Sequence, residues 1–218
     1  MTSKNALKYA VPSLLFALIT VLICSPGMSQ EATTQISRAP LTIDVGTRLQ
    51  FESTSTVYQF APPVREDFYV RIAEKWPGGI AFQYSNEQKL MGIEQGVESL
   101  SSLDDCKTLD PWWDPAEISH DDRCNLWLPR QAFLELITTH KTWLAIDTLA
   151  RQDSTVRWEY QGIVWFFVYS DGSPSLLRGI QVKTTRNDEL VILDDIDNPL
   201  ILSAKSTFFS WTLIRVNH

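Results

Sequence analysis

Histidine is scarce in this chain, with three in 218 residues, and the recognisable catalytic spacings are missing. There is no Gly-x-Ser-x-Gly elbow, and Asp171-Gly172-Ser173 has the wrong residue order for an aspartic-protease loop. His-Glu-x-x-His, Cys-x-x-Cys and His-x-His are also absent, which removes the familiar ligand sets of a transition-metal enzyme. Gly78, Gly79 and Gly172 are turn glycines rather than a phosphate-cradling loop. His120 falls in an acidic stretch, His140 at a helix end where the dipole accounts for it, and His218 after the last strand. The sequence therefore assigns no catalytic residue, no metal site and no cofactor.

Positive charge is also short. Nineteen Lys and Arg face 26 Asp and Glu, for a formal charge of −7, and no basic cluster stands out. Such a chain is repelled by phosphate backbones and anionic lipid surfaces, so no nucleic-acid partner is expected. Only one long apolar run occurs, Leu14–Cys24, well short of the roughly 20 residues that a membrane-crossing helix needs. Lys4 and Lys8 precede it and Gly27-Met28-Ser29 follows, an order that reads as a secretory signal peptide over residues 1–29. The expected mature chain starts near Gln30, outside the cytosol, and loss of the two leader lysines takes the formal charge from −7 to −9. No permanent membrane span is expected.

Cysteine is the third shortage. Of three, Cys24 leaves with the leader, and the bulky Ile23 before it argues against lipoprotein acylation there. Cys106 and Cys124 remain as an even pair in an oxidising compartment, so they are expected to form a disulfide. A secreted or periplasmic location follows from both observations.

What is present is β pattern. Residues 30–40 are polar and read as a flexible mature N-terminus, followed by one β-rich domain over 41–218. Ile43, Val45, Leu49 and Phe51 surround Gly46 as a bent strand or two short ones. Phe68, Val70 and Ile72, then Ile80, Phe82 and Tyr84, alternate on either side of Pro77-Gly78-Gly79 as a hairpin. A less regular stretch from about Gln88 to Leu128 carries both cysteines. Residues 129–140 then form the one helix, with Pro129 in its first turn and Phe133, Leu134 and Ile137 as its apolar face. Strand cores follow at Trp143–Ile146, Val156–Trp158, Ile163–Val168, Ile180–Val182, Leu190–Leu193, Leu200–Leu202 and Phe208–Val216, separated by Asp171-Gly172, Arg186-Asn187-Asp188 and Asp195–Pro199 turns. The expected fold is mainly β, an antiparallel barrel, half-barrel or sandwich with one packed helix.

Two features suggest binding. Asp104, Asp105, Asp110, Asp114, Glu117, Asp121 and Asp122 crowd the cysteines, but without the glycine and alternate spacing of a calcium loop they read as a solvated segment. Eight tryptophans are many, and Trp76, Trp127, Trp143, Trp158, Trp165 and Trp211 are expected to fill core. Trp112 and Trp113 differ, because two adjacent rings in a loop cannot readily both be buried, and the pair suits stacking on a sugar or anchoring a peptide. The expected function is a non-enzymatic, secreted or periplasmic binding or envelope-associated protein. It would act through that disulfide-held aromatic loop or through a concave sheet face beside the helix, with an envelope protein, peptide or glycan as partner. The alternative is a secreted hydrolase of sugars or peptides using a carboxylate pair or a Ser/His site assembled by the fold.

Overall fold

Two-residue turns set the frame of the sheet. Pro77 and Gly78 join strand Val64–Trp76 to strand Gly79–Ser85, with Trp76 opposite Gly79. The Trp76 ring covers Gly79 so closely that a Cβ there would lie 2.5 Å from it. Asp171 and Gly172, both at positive φ (47° and 79°), make the corresponding connection between the two longest neighbouring strands, Ser154–Ser170 and Ser173–Thr184. That pair of dihedral signs matches the twist of an antiparallel hairpin, and Gly172 permits it.

The computed structural model describes residues 40–56, 62–85, 97–104, 106–109, 123–146, 154–207 and 209–218. The expected leader, Cys24 and the expected mature N-terminus up to residue 39 lie outside them. In chain order the elements are β1 (Arg48–Ser55), β2 (Val64–Trp76), β3 (Gly79–Ser85), β4 (Val97–Ser102), β5 (Thr108–Leu109), β6 (Arg123–Cys124), α1 (Arg130–Thr139), β7 (Lys141–Ile146), β8 (Ser154–Ser170), β9 (Ser173–Thr184), β10 (Glu189–Leu193), β11 (Ile201–Lys205) and β12 (Phe209–Asn217). Ten strands have five residues or more and two have only two. All belong to one sheet, ordered β4-β3-β2-β1-β12-β11-β10-β9-β8-β7-β5-β6.

The fold is mainly β with a single helix among the described residues. Most pairings are antiparallel, but β5 runs parallel to both β6 and β7, and β12 pairs in parallel with β8 through Arg215–Tyr169 and Val216–Ser170. The last contact joins strands that are four places apart in the sheet order, so β8 to β12 curl into an incomplete ring. The core lies inside that curl and under the β1–β3 wing, where Phe51, Phe68 and Trp211 pack ring to ring at 4.7–6.3 Å.

Several sequence expectations change in detail. The stretches 156–158 and 163–168 are one strand, β8, bent by a bulge between Tyr160 and Gly162, with Gly162 at φ 146°. Residues 41–47 are not a strand. Asp44 and Thr47 close a turn there, which leaves Val45 exposed while Ile43 stays buried. The helix begins after Pro129, whose residue is the N-cap, and its first N–H, from Arg130, is donated to the Leu103 carbonyl at 2.8 Å.

The helix also buries a different face from the expected one. Ala132, Phe133 and Leu136 face the sheet, whereas Leu134 and Ile137 are 40% and 37% exposed. Phe133→Ala is therefore expected to cost about 3–5 kcal/mol, and Leu134→Ala well under 1 kcal/mol. Urea unfolding of the two variants checks the assignment, and equal midpoints would contradict it.

Candidate functional site

A groove of about 900 Å3 runs between α1 and the β5–β7 edge. It exists because His140, in the left-handed conformation at φ 62°, ends the helix and turns the chain directly into β7. Helix and strand then lie side by side, joined by one residue, with α1 packed on β7 and β8. Gln131, Ala132 and Glu135 line the groove from the helix, Thr142, Trp143 and Leu144 from β7, and Cys106, Lys107 and Thr108 from the side of the disulfide.

The polar groups of this groove are fixed in place. Thr142 Oγ1 donates to Glu135 Oε2 at 2.5 Å, and Gln131 Nε2 donates to Glu135 Oε1 at 3.2 Å. Those two bonds, the Thr142 bond first, hold the Glu135 carboxyl below the usual carboxylate range. Asp104 is engaged by Arg130 Nη1 at 2.8 Å, and the same guanidinium nitrogen donates to the Pro77 carbonyl, tying the groove to the β2–β3 hairpin. Trp143 is the large apolar group of the groove and is 62% exposed.

Cys106 and Cys124 form a disulfide with 5.7 Å between their Cα atoms. It links the segment entering β5 to β6 at the end of the sheet. The segment between them that carries Trp112 and Trp113 lies outside the described residues, as do six of the seven acids singled out, Asp104 being the exception. Among the described residues no group of three or more His, Cys, Asp or Glu is arranged to hold a metal ion.

Of the six tryptophans expected in the core, Trp127, Trp158 and Trp211 are buried, and the other three are not. Trp76, Trp143 and Trp165 are 42%, 62% and 54% exposed. The reason is strand parity. Trp143 alternates with buried Thr142 and Leu144, and Trp165 belongs to the outward set Ile163, Trp165, Phe167 and Tyr169, whose inward partners include Val168. Phe167 and Tyr169 meet edge to face at 5.2 Å on that outer surface. Sequence reasoning missed Trp143 and Glu135 as site residues, although the alternation Lys141-Thr142-Trp143-Leu144 carried the signal for the first.

The described histidines form no nucleophilic pair. His140 stacks on Tyr160 with centroids 5.1 Å apart, and His218 bonds Asp171 and the Thr42 carbonyl. No helix among the described residues is long and apolar enough to cross a membrane. Comparison with protein-family models, curated proteins and solved structures finds no match to this chain.

Proposed function

We propose that this protein is a non-enzymatic binding module of an oxidising, extracytosolic compartment, and that its ligand is a glycan seated in the groove between α1 and β7. The observation that carries the reading is Trp143, an exposed indole that lines the same groove as a carboxylate whose orientation is fixed. An aromatic face stacks on the C–H side of a sugar ring, and an oriented carboxylate or amide accepts from and donates to its hydroxyls. Here the indole is Trp143, the carboxylate Glu135 and the amide Gln131, all lining one groove. The disulfide supports the compartment, since such bonds persist where thiols are not kept reduced.

Hydrolysis of the same class of ligand is less well supported. Glycoside cleavage needs a protonated carboxyl group opposite an ionised one; Glu135 is held low and ionised, and the other acid lining the groove, Asp104, is paired with Arg130.

The test is calorimetric titration of the exported protein with a panel of neutral and N-acetylated oligosaccharides, alongside Trp143→Ala and Glu135→Gln. The expected result is micromolar to millimolar binding, weakened at least about tenfold by Trp143→Ala, with an unchanged melting temperature because the ring is exposed. Equal affinity in wild type and Trp143→Ala would remove the site. No binding across the panel would remove the glycan.

A further inference from the structure

The β8–β9 turn does more than reverse the chain. Asp171 accepts two hydrogen bonds from His218, one from the backbone N–H to Oδ1 and one from Nδ1 to Oδ2, both at 2.9 Å. The other ring nitrogen of His218, Nε2, lies 2.8 Å from the carbonyl oxygen of Thr42. A carboxylate and a carbonyl can only accept, so both contacts are hydrogen bonds only when both ring nitrogens carry protons. A neutral ring satisfies one and turns a lone pair towards the other acceptor.

Thr42 belongs to a strap, residues 40–46, that crosses the end of the sheet and inserts Leu41 and Ile43 into the core, 6% and 1% exposed. Beyond the tie at Thr42, the strap is held by Lys75 Nζ on the Ile43 carbonyl at 2.7 Å and by the Gly46 N–H on the Ile72 carbonyl at 2.9 Å. Both of those ties lie after Thr42, which leaves His218 as the polar fastening of the strap's leading end among the described residues. Cavities of about 320 and 290 Å3 flank His218, so hydrogen bonding rather than tight packing sets the ring's position.

We propose that His218 is a pH-sensitive latch: as an imidazolium it fastens the leading end of the strap to the β8–β9 turn, and on losing its proton it frees Pro40–Thr42 and loosens Leu41 from the core.

The charges around the ring favour the fastened form. Asp171 faces it from the turn and Asp44 from the strap, while Arg48 of β1 and Tyr69 of β2 line one of the adjoining cavities, and Lys75 of β2 sits 3.9 Å from Asp44. Hydrogen bonding to Asp171, then to Thr42, raises the His218 pKa, and the bonds from His218 lower that of Asp171. The histidine contribution is therefore complete below the ordinary histidine value of about 6.5 and is lost as pH rises through the raised one. On the acid side the latch fails as pH falls through the lowered value of Asp171. The Thr42 bond belongs to the strap and the larger Asp171 bond does not, so the preference of the fastened strap for the protonated ring is about tenfold for each whole pKa unit that the ring loses when the strap is freed.

Three histidines make the ring titration easy to follow by NMR, with His218→Gln supplying the assignment. The full exported chain and Asp171→Asn are titrated from about pH 5 to 9, reading the His218 ring, the Leu41 and Ile43 methyl groups and backbone order at 41–43. The expected wild-type result is a ring that titrates above 6.5, methyl shifts with the same midpoint, and loss of order in the strap on the alkaline side. Asp171→Asn should titrate lower and lose strap order at a correspondingly lower pH, with Leu213 in the core unmoved as proof of folding. A ring titrating at or below 6.5, methyl groups that do not follow it, or an Asp171→Asn profile identical to wild type would each overturn the latch.

Discussion

Truncating Trp127 to alanine is expected to destabilise the protein by about 3–5 kcal/mol, a large share of the 5–15 kcal/mol that holds a domain of this size. Trp127 is fully buried, its ring lies 5.5 Å from that of Phe82, and it bridges to Leu200 at the entrance to β11. The residue connects the segment before α1 to the far side of the curled sheet, so the cavity left by its removal cannot collapse onto a single neighbour. Its indole N–H also donates to Asn198 Oδ1 at 2.9 Å, and Asn198 is itself buried. Trp127→Phe keeps most of the ring but strands that oxygen, for an expected cost of about 1–3 kcal/mol. Trp158 supplies the control. It is equally buried, but its N–H has no partner among the described residues, so Trp158→Phe loses packing volume without stranding an acceptor and should cost less than Trp127→Phe. Urea unfolding midpoints of the three variants decide the matter, and equal costs for the two Phe variants would show that the Asn198 bond contributes nothing.

The parts of the fold legible in the sequence are those whose cause is local. Asp171-Gly172 declares its hairpin because few other residues adopt the positive φ it requires, the turn at Arg186–Asp188 likewise places Asn187 at φ 67°, and Pro77 marks the other hairpin by its fixed φ. The helix was legible as a helix but not as an oriented one. Ala132, Phe133, Leu134, Leu136 and Ile137 contain two overlapping apolar stripes, and only docking on β7 and β8 selects Ala132, Phe133 and Leu136. The same ambiguity hid the outer face of β8, where Ile163 to Tyr169 is apolar or aromatic at every position and alternation gives no inward parity. The parallel contact of Tyr169 with Arg215 joins residues far apart in the chain with no sequence signature at all.

The candidate site was legible in class more than in place. The expected leader, acidity and surplus tryptophan pointed to Trp112 and Trp113 in the loop between the cysteines, which lies outside the described residues, whereas the groove beside the disulfide is lined by Trp143. Glu135 could not be recognised beforehand, because its significance depends on Thr142 reaching across from β7. His218 was set aside as a residue after the last strand, and its bonds to Asp171 and Thr42 appear only once the ends of β8 and β12 meet.

Removing the disulfide by a Cys106→Ala/Cys124→Ala pair should cost about 3 kcal/mol, the loop-closure value for a ring of this length. The local structure gives reason to expect most of that loss. β5 and β6 pair through two positions only, Thr108 with Arg123 and Leu109 with Cys124, and β6 ends the sheet order. Two rungs at an edge cannot offset the entropy of fixing the chain, so the covalent link carries the register. Cys124 and Leu109 are both fully buried, and separation of β5 from β6 would open the core at its most weakly paired end. The groove shares Cys106 and Thr108 with this edge, so under the proposed glycan binding the cysteine-free protein should lose affinity along with stability, whereas Trp143→Ala loses affinity alone. Burial also keeps reductant from the bond while the edge is closed. Dithiothreitol should therefore act on the native protein slowly and on the urea-loosened protein quickly. A cysteine-free variant with the wild-type urea midpoint would show instead that the β5–β7 pairing at Ala145 and Ile146 suffices to hold the edge.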